Sequence, residues 1–142
     1  MTFQIQEIAP KSLDNLQDIF VSFTKDYPNF YQWLDNIKTL NNRRVFVTKQ
    51  NLTEKYQAIA ILKINTDNTI KISTFKVLET ARNKNLGSKL MNTIVNLYPS
   101  ETIFYIETKP HNKNLISFLN HNGFIQIDKN LNHNSDITLT RI

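Results

Sequence analysis

Cysteine is absent from the 142 residues, which excludes a disulfide framework, a thiolate metal site and a cysteine nucleophile. Glycine is nearly absent: the chain holds two, where an average usage of about 7% would place about ten. A chain this poor in glycine does not use it as a loose hinge, so each one marks a backbone position with a particular demand. The longest purely apolar run, Ala58 to Leu62, falls far short of the roughly 20 residues of a membrane span. The N-terminal stretch MTFQIQEIAPKS lacks the basic flank and apolar run of a signal peptide. These absences lead to an expectation of a cytoplasmic protein with no membrane partner. Three histidines, at 111, 121 and 133, are too scattered to make a ligand set, so no metal is expected.

What is present fits one globular domain over residues 1–142, long enough to bury a core, with 40% apolar and 20% charged residues. The net charge of +5 is open to two readings. It suits an anionic ligand or partner, such as a phosphate-rich cofactor, nucleic acid or an acidic surface, or it serves solubility alone. Asparagine is frequent throughout, but no repeat and no Pro/Gly/Ser linker divides the chain.

Alternation at Phe3 and Ile5 predicts a short strand, imperfect at Glu7-Ile8. Ser12 is placed to cap a helix carrying Leu13, Leu16, Ile19, Phe20 and Phe23, and Phe30, Trp33, Leu34, Ile37 and Leu40 repeat the helical spacing. Residues 43–48 and 56–64 read as a hairpin joined by a polar loop around Asn51. Residues 69–78 read as a strand whose phase changes: Ile70 and Ile72 are apolar at even positions, Phe75 and Val77 at odd ones. A period of two slips only with an extra residue, so either a bulge lies near Ser73-Thr74 or the strand is covered on both faces. Leu86, Leu90, Ile94 and Leu97 then predict a helix, 102–107 a buried strand, and Leu115, Phe118 and Leu119 a helix that ends at Gly123 in the left-handed position. Two strands close the chain. This order predicts an α+β fold around one mixed sheet.

Gly87 lies in FKVLETARNKNLGSKLM, residues 75–91, a strand, a basic loop and a helix. A helix N-terminus exposes unpaired amides and a positive partial charge, an arrangement that binds phosphate. Glycine at 87 lets a phosphate approach the backbone, and Asn85 is a residue type that tolerates left-handed dihedrals. Lys76, Arg82, Lys84 and Lys89 cluster here against Glu79. The other reading is a plain strand-to-helix turn that happens to be basic.

RNKNLGS resembles the R/Q-x-x-G-x-G/A loop of GNAT-superfamily N-acetyltransferases, with Arg82 at the first position, Asn85 at the first glycine and Gly87 at the second. Residues 106–124, IETKPHNKNLISFLNHNGF, resemble that family's second signature through Glu107, Asn112, Gly123 and Phe124. The resemblance implies a GNAT-like fold, a mixed and mostly antiparallel sheet of about seven strands flanked by about four helices. It implies acetyl-CoA as cosubstrate, with its pyrophosphate on the loop (Arg82, Asn83, Lys84, Asn85, Leu86, Gly87, Ser88 and Lys89). The pantetheine arm would run beside Val77 and Leu78 and reach Asn112, which would also cap its helix. Glu107 falls at the general-base position of the family's ribosomal-protein N-terminal acetyltransferases, where burial would raise its pKa toward use, or it is a surface carboxylate at a strand end; Glu79 is a second candidate. One departure stands out. Leu119 occupies the position of a tyrosine that protonates the departing thiolate in many members, which leaves Tyr105, His111 and His121 as substitutes. The implied function is transfer from acetyl-CoA to an amine by direct attack; the alternative is a non-catalytic acyl-CoA sensor. The acceptor is open among a small molecule, a protein and a charged tRNA, and the state is monomer or homodimer. Tyr27, Phe30 and Trp33 either line an acceptor cleft or pack in the core.

Overall fold

The structure, a computed structural model, describes residues 3–12, 29–38, 40–50, 56–78, 85–127 and 136–141. Among these residues ten elements run in the order β1 (Phe3–Ile8), α1 (Phe30–Ile37), β2 (Arg43–Gln50), β3 (Tyr56–Ile64), β4 (Thr69–Val77), α2 (Leu86–Asn96), β5 (Ile103–Thr108), α3 (Lys113–His121), β6 (Ile125–Gln126) and β7 (Ile137–Arg141). The helix expected after Ser12 lies outside the described residues, as do Tyr27 and the loop around Asn51. Ser12 itself ends a tight turn, its N–H donating to the Ala9 carbonyl at 2.9 Å.

The seven strands form one sheet in the order β1-β2-β3-β4-β5-β7-β6. All neighbours are antiparallel except β4 and β5. That exception follows from connectivity, because α2 carries the chain back over the sheet between them and a crossover of this kind yields parallel strands. The phase slip in β4 is a bulge: Ile61 faces Thr74 while Leu62 faces Ile72, which leaves Ser73 as the extra residue.

The strand pleat sorts the core into two clusters, one per sheet face. Ala58, Ala60 and Leu62 of β3, Ile70 and Ile72 of β4, and Phe104 and Ile106 of β5 pack with Leu86, Leu90, Met91 and Ile94 of α2 and Leu119 of α3. Val45, Val47, Ile59 and Ile61 pack with Phe30, Leu34 and Ile37 of α1 on the other face. The apolar stripe of α1 is thus core, as its spacing requires. Arg44 braces β1 and β2 to the α2 side: its Nε and Nη2 donate to the Glu7 carboxylate at 2.8 and 2.9 Å, and its Nη1 donates to the Tyr98 hydroxyl at 2.6 Å. The guanidinium also stands 5.2 Å over the Phe46 ring.

Candidate active site

The site begins with a failure of two strands to stay together. β4 and β5 pair over Thr69–Lys71 and Ile103–Tyr105 and no farther, although β4 continues to Val77 and β5 to Thr108. The bulge at Ser73 sits where they part. A bulge bends its strand and increases the local twist, which steers β4 off its neighbour. The fork opens a cleft of about 1370 Å³, walled by Phe75, Lys76 and Val77 on one side, Ile106 to Lys109 on the other, and the near ends of α2 and α3.

The N-terminus of α2 enters this cleft through Asn85, Gly87 and Ser88. Asn85 has φ 56° and ψ 22°, the left-handed conformation expected of it, and its side chain makes no capping bond. The first amides of α2 therefore have no cap from the Asn85 side chain. Gly87 is buried at the contact between α2, α3 and β4. A Cβ built there would stand 3.0 Å from Cε1 of Phe118 and 3.4 Å from Cγ2 of Val77. Its first demand is close packing of the helix start. Leu86 is wholly buried in the core and does not line the cleft, and Lys89 is exposed without lining it. Arg82, Asn83, Lys84 and Glu79 lie outside the described residues. Val77 lines the cleft, but Leu78 packs toward the α1 cluster and its amide donates to the Gln57 carbonyl at 2.9 Å.

Glu107 stands near the end of β5, its side chain one-quarter exposed, with Oε1 3.3 Å from Nζ of Lys71. It is partly open to the cleft rather than sealed in apolar surroundings, between the buried base and the surface carboxylate that its place at a strand end allowed. Beside it, Asn112 does not cap α3 with its side chain; its Nδ2 donates instead to Oγ1 of buried Thr108 at 3.0 Å, tying the helix start to the strand end. A short side chain committed to a neighbouring hydroxyl cannot also fold back onto the helix amides, which corrects the capping expectation.

The departing-group side also differs from expectation. Leu119 has no exposure and belongs to the core, while its neighbour Phe118 lines the cleft and stacks on Phe75 with centroids 5.3 Å apart. Tyr105 lines a separate hollow, where its hydroxyl accepts from Nδ2 of Asn65 at 3.1 Å. His111 and His121 do line the cleft. Phe30 and Trp33 pack in the α1 cluster and also line the cleft. Arg43, Lys63 and Lys71 line it too; none of the three stood out in the sequence, because each is an ordinary polar residue near a strand end until register is known. Among the described residues no group of His, Asp or Glu is placed to hold a metal, and no helix is long and apolar enough to cross a membrane.

Residues 10–124 match the model of the acetyltransferase (GNAT) family. The chain belongs to that family. This acetyltransferase accordingly moves an acetyl group from acetyl-CoA to an amine. Solved structures agree in fold. A GNAT-family acetyltransferase from Staphylococcus aureus Mu50 superposes with a TM-score of 0.79 at 18% identity, covering 99% of this chain and 98% of that one. The PaiA N-acetyltransferase from Thermoplasma acidophilum, solved with coenzyme A, gives 0.75 at 16% identity and 99% of both chains. Ard1 from Thermoplasma volcanium gives 0.75 at 19% identity, covering 100% and 98%. No curated protein sequence matches significantly.

Proposed function

We propose that the fork between β4 and β5 is where acetyl-CoA and the amine meet, with Glu107 as the base that receives the amine proton. The observation that carries this reading is the placement of Glu107 in the same cleft as the uncapped start of α2. The amides at Asn85, Gly87 and Ser88, with Lys76 and Lys113 nearby, suit a pyrophosphate. The expected Arg82, Asn83 and Lys84 would complete that cradle, with the amides of Leu86 and Lys89. The edge of β4 at Val77 suits the amides of a pantetheine arm, and Asn112 marks the far end of its path.

An amine acceptor is mostly protonated at neutral pH, since a lysine ammonium has a pKa of about 10.4 and a chain terminus about 8. Glu107 takes that proton, which frees the nitrogen lone pair to attack the thioester carbon; the adduct releases its second N–H proton to water as the C–S bond breaks with its electron pair on sulfur. An alkyl thiolate, of pKa about 8.5 by analogy with cysteine, leaves near neutral pH and collects its proton from water or from His111 or His121. Cytoplasmic location is part of this proposal and rests on the sequence; monomer and homodimer both accommodate it.

The burial of Leu119 favours one other reading, a binding module that has lost its acid and senses acyl-CoA. A screen of amine acceptors with detection of free CoA separates the two. Release of CoA that depends on an acceptor is expected; binding of acetyl-CoA with no release for any amine would establish the sensor.

A further inference from the structure

We propose that the acceptor is a compact amine carrying a carboxylate or phosphate, and that Arg43, Lys63 and Lys71 form the subsite that binds this anion beside Glu107. The inference rests on acetyl transfer in the cleft and adds the chemical class of the acceptor.

Arg43 is the cross-strand partner of Lys63, and Lys63 is the partner of Lys71. Three cations therefore stand side by side on β2, β3 and β4. All three project on the α1 face, as the period of two requires: Arg43 shares it with Val45, Lys63 with Ile61, and Lys71 with Ser73 across the bulge. They line the same cleft as Asn29, Phe30 and Trp33 at the start of α1.

Like charges directly opposite on neighbouring strands destabilise a sheet. Here two such pairs follow in succession, and the described residues offset them at one end alone, through the ion pair of Lys71 with Glu107 at 3.3 Å. Arg43 donates from Nη1 to Oδ1 of Asn42 at 2.7 Å, while its Nε is buried with no acceptor among the described residues. Burial also lowers the Arg43 pKa, the direction expected of a partly buried cation with no anion against it among the described residues. Six cations and two carboxylates line the cleft, and each carboxylate already has a lysine: Glu107 with Lys71, and Asp136 with Lys109 at 3.0 Å. Asn29, Phe30, Trp33 and Ser73, which face the row from α1 and β4, are neutral. A row built at a cost to the sheet, with a buried donor left over, is complementary to an incoming anion.

Size follows from the spacing. Neighbouring strands lie about 4.8 Å apart, so Lys63 and Arg43 stand roughly 5 and 10 Å from Lys71 along the row. An amine placed at Glu107 and an anion placed between Lys71 and Lys63, with Arg43 as the outer donor, belong to one small molecule. A guanidinium edge beside an ammonium accepts a carboxylate or a phosphate by the same hydrogen-bond geometry.

The test compares acceptors in matched pairs: β-alanine with β-alaninamide, and 2-aminoethyl phosphate with ethanolamine. The anionic member of at least one pair should show kcat/KM at least tenfold higher, and the pair with the larger ratio identifies carboxylate or phosphate as the source. Lys63→Gln and Arg43→Gln should each lower that ratio at least fivefold. Equal or faster turnover of the neutral member in both pairs overturns the proposal, and so does acetylation of an acidic peptide's amino terminus with none of the four small amines. A second readout needs no turnover. Propionate or inorganic phosphate should raise the melting temperature of the parent protein more than that of Lys63→Gln, and equal shifts overturn the subsite. Titration with coenzyme A reads the other part of the cleft, so its failure would sink the acetyl-transfer reading while leaving the anion measurements to stand on their own.

Discussion

Nζ of Lys71 and Oε1 of Glu107 lie 3.3 Å apart across the parallel pair β4–β5, at the level where the two strands separate. The pair closes the narrow end of the fork. It also gives the carboxylate a fixed position in the cleft without burying it in apolar surroundings. Both side chains keep a quarter to a third of their exposure, so solvent screens the pair and its worth to stability is small, about 0.2–1 kcal/mol.

Replacing Glu107 by Gln should therefore separate chemistry from folding. Turnover is expected to fall by about 10²- to 10⁴-fold, the usual contribution of a positioned base. The melting temperature and the affinity for coenzyme A should change little. A loss of less than threefold, measured below the pKa of the acceptor amine, would show that the proton goes elsewhere.

Gly87 tests whether the glycine serves packing, phosphate approach or both. A valine at this position meets the Phe118 ring, which is backed by Phe75 and has little room to retreat. Overpacking of this kind should cost about 1–3 kcal/mol. Gly87→Val with Phe118→Leu should recover most of that loss, because the two sites share one contact. Acetyl-CoA at 100 times its dissociation constant should stabilise the parent protein by about 2.7 kcal/mol. A double variant that is restored in stability but gains no such increment would assign the glycine to phosphate approach; one that gains it fully would assign the glycine to packing alone.

Leu119→Tyr puts a larger, polar-tipped side chain into a wholly buried site. We expect a stability loss of about 1–3 kcal/mol. Among molecules that remain folded, turnover should rise across pH 6 to 9 and the gain should fade above about pH 10, where a tyrosine of ordinary pKa loses the proton it would donate to sulfur. No gain at any pH would mean the hydroxyl does not reach the sulfur.

Acid stability should depend on Glu7. Its two hydrogen bonds from Arg44 hold its carboxyl below the ordinary value of 4.5, while the arginine is pushed farther up and stays charged throughout. A carboxyl with a depressed folded-state pKa contributes stability that is fully present above its unfolded value and is lost as pH falls through the folded one. Parent protein should thus lose stability more steeply than Glu7→Gln below about pH 4.5. The two should differ by a few tenths to about 1 kcal/mol at neutral pH after screening, and by less in high salt. Parallel acid-unfolding curves would show that the pair contributes nothing to acid stability.

Much of this molecule is local and could be read from the chain. Periods of two and 3.6 marked the strands and helices, because each element buries one face. The slipped phase of residues 69–78 left a bulge or a strand covered on both faces, and register decides for the bulge, with Ser73 the extra residue. Asn85 and Gly123, with φ 56° and 89°, take the left-handed backbone their residue types favour. The two signatures around Gly87 and Glu107 sufficed for the family. What local pattern could not reach was which side chains meet. Gly87 lies against Phe118, Asn112 turns to Thr108 instead of its own helix, and Leu119 faces the core while Phe118 faces the cleft. The cationic row is the clearest case. Arg43, Lys63 and Lys71 come from three strands, and a shift of one residue in any of those pairings would move a charge to the opposite face. Their alignment is a property of strand register, which the packing of both sheet faces decides together, and no window of sequence contains it.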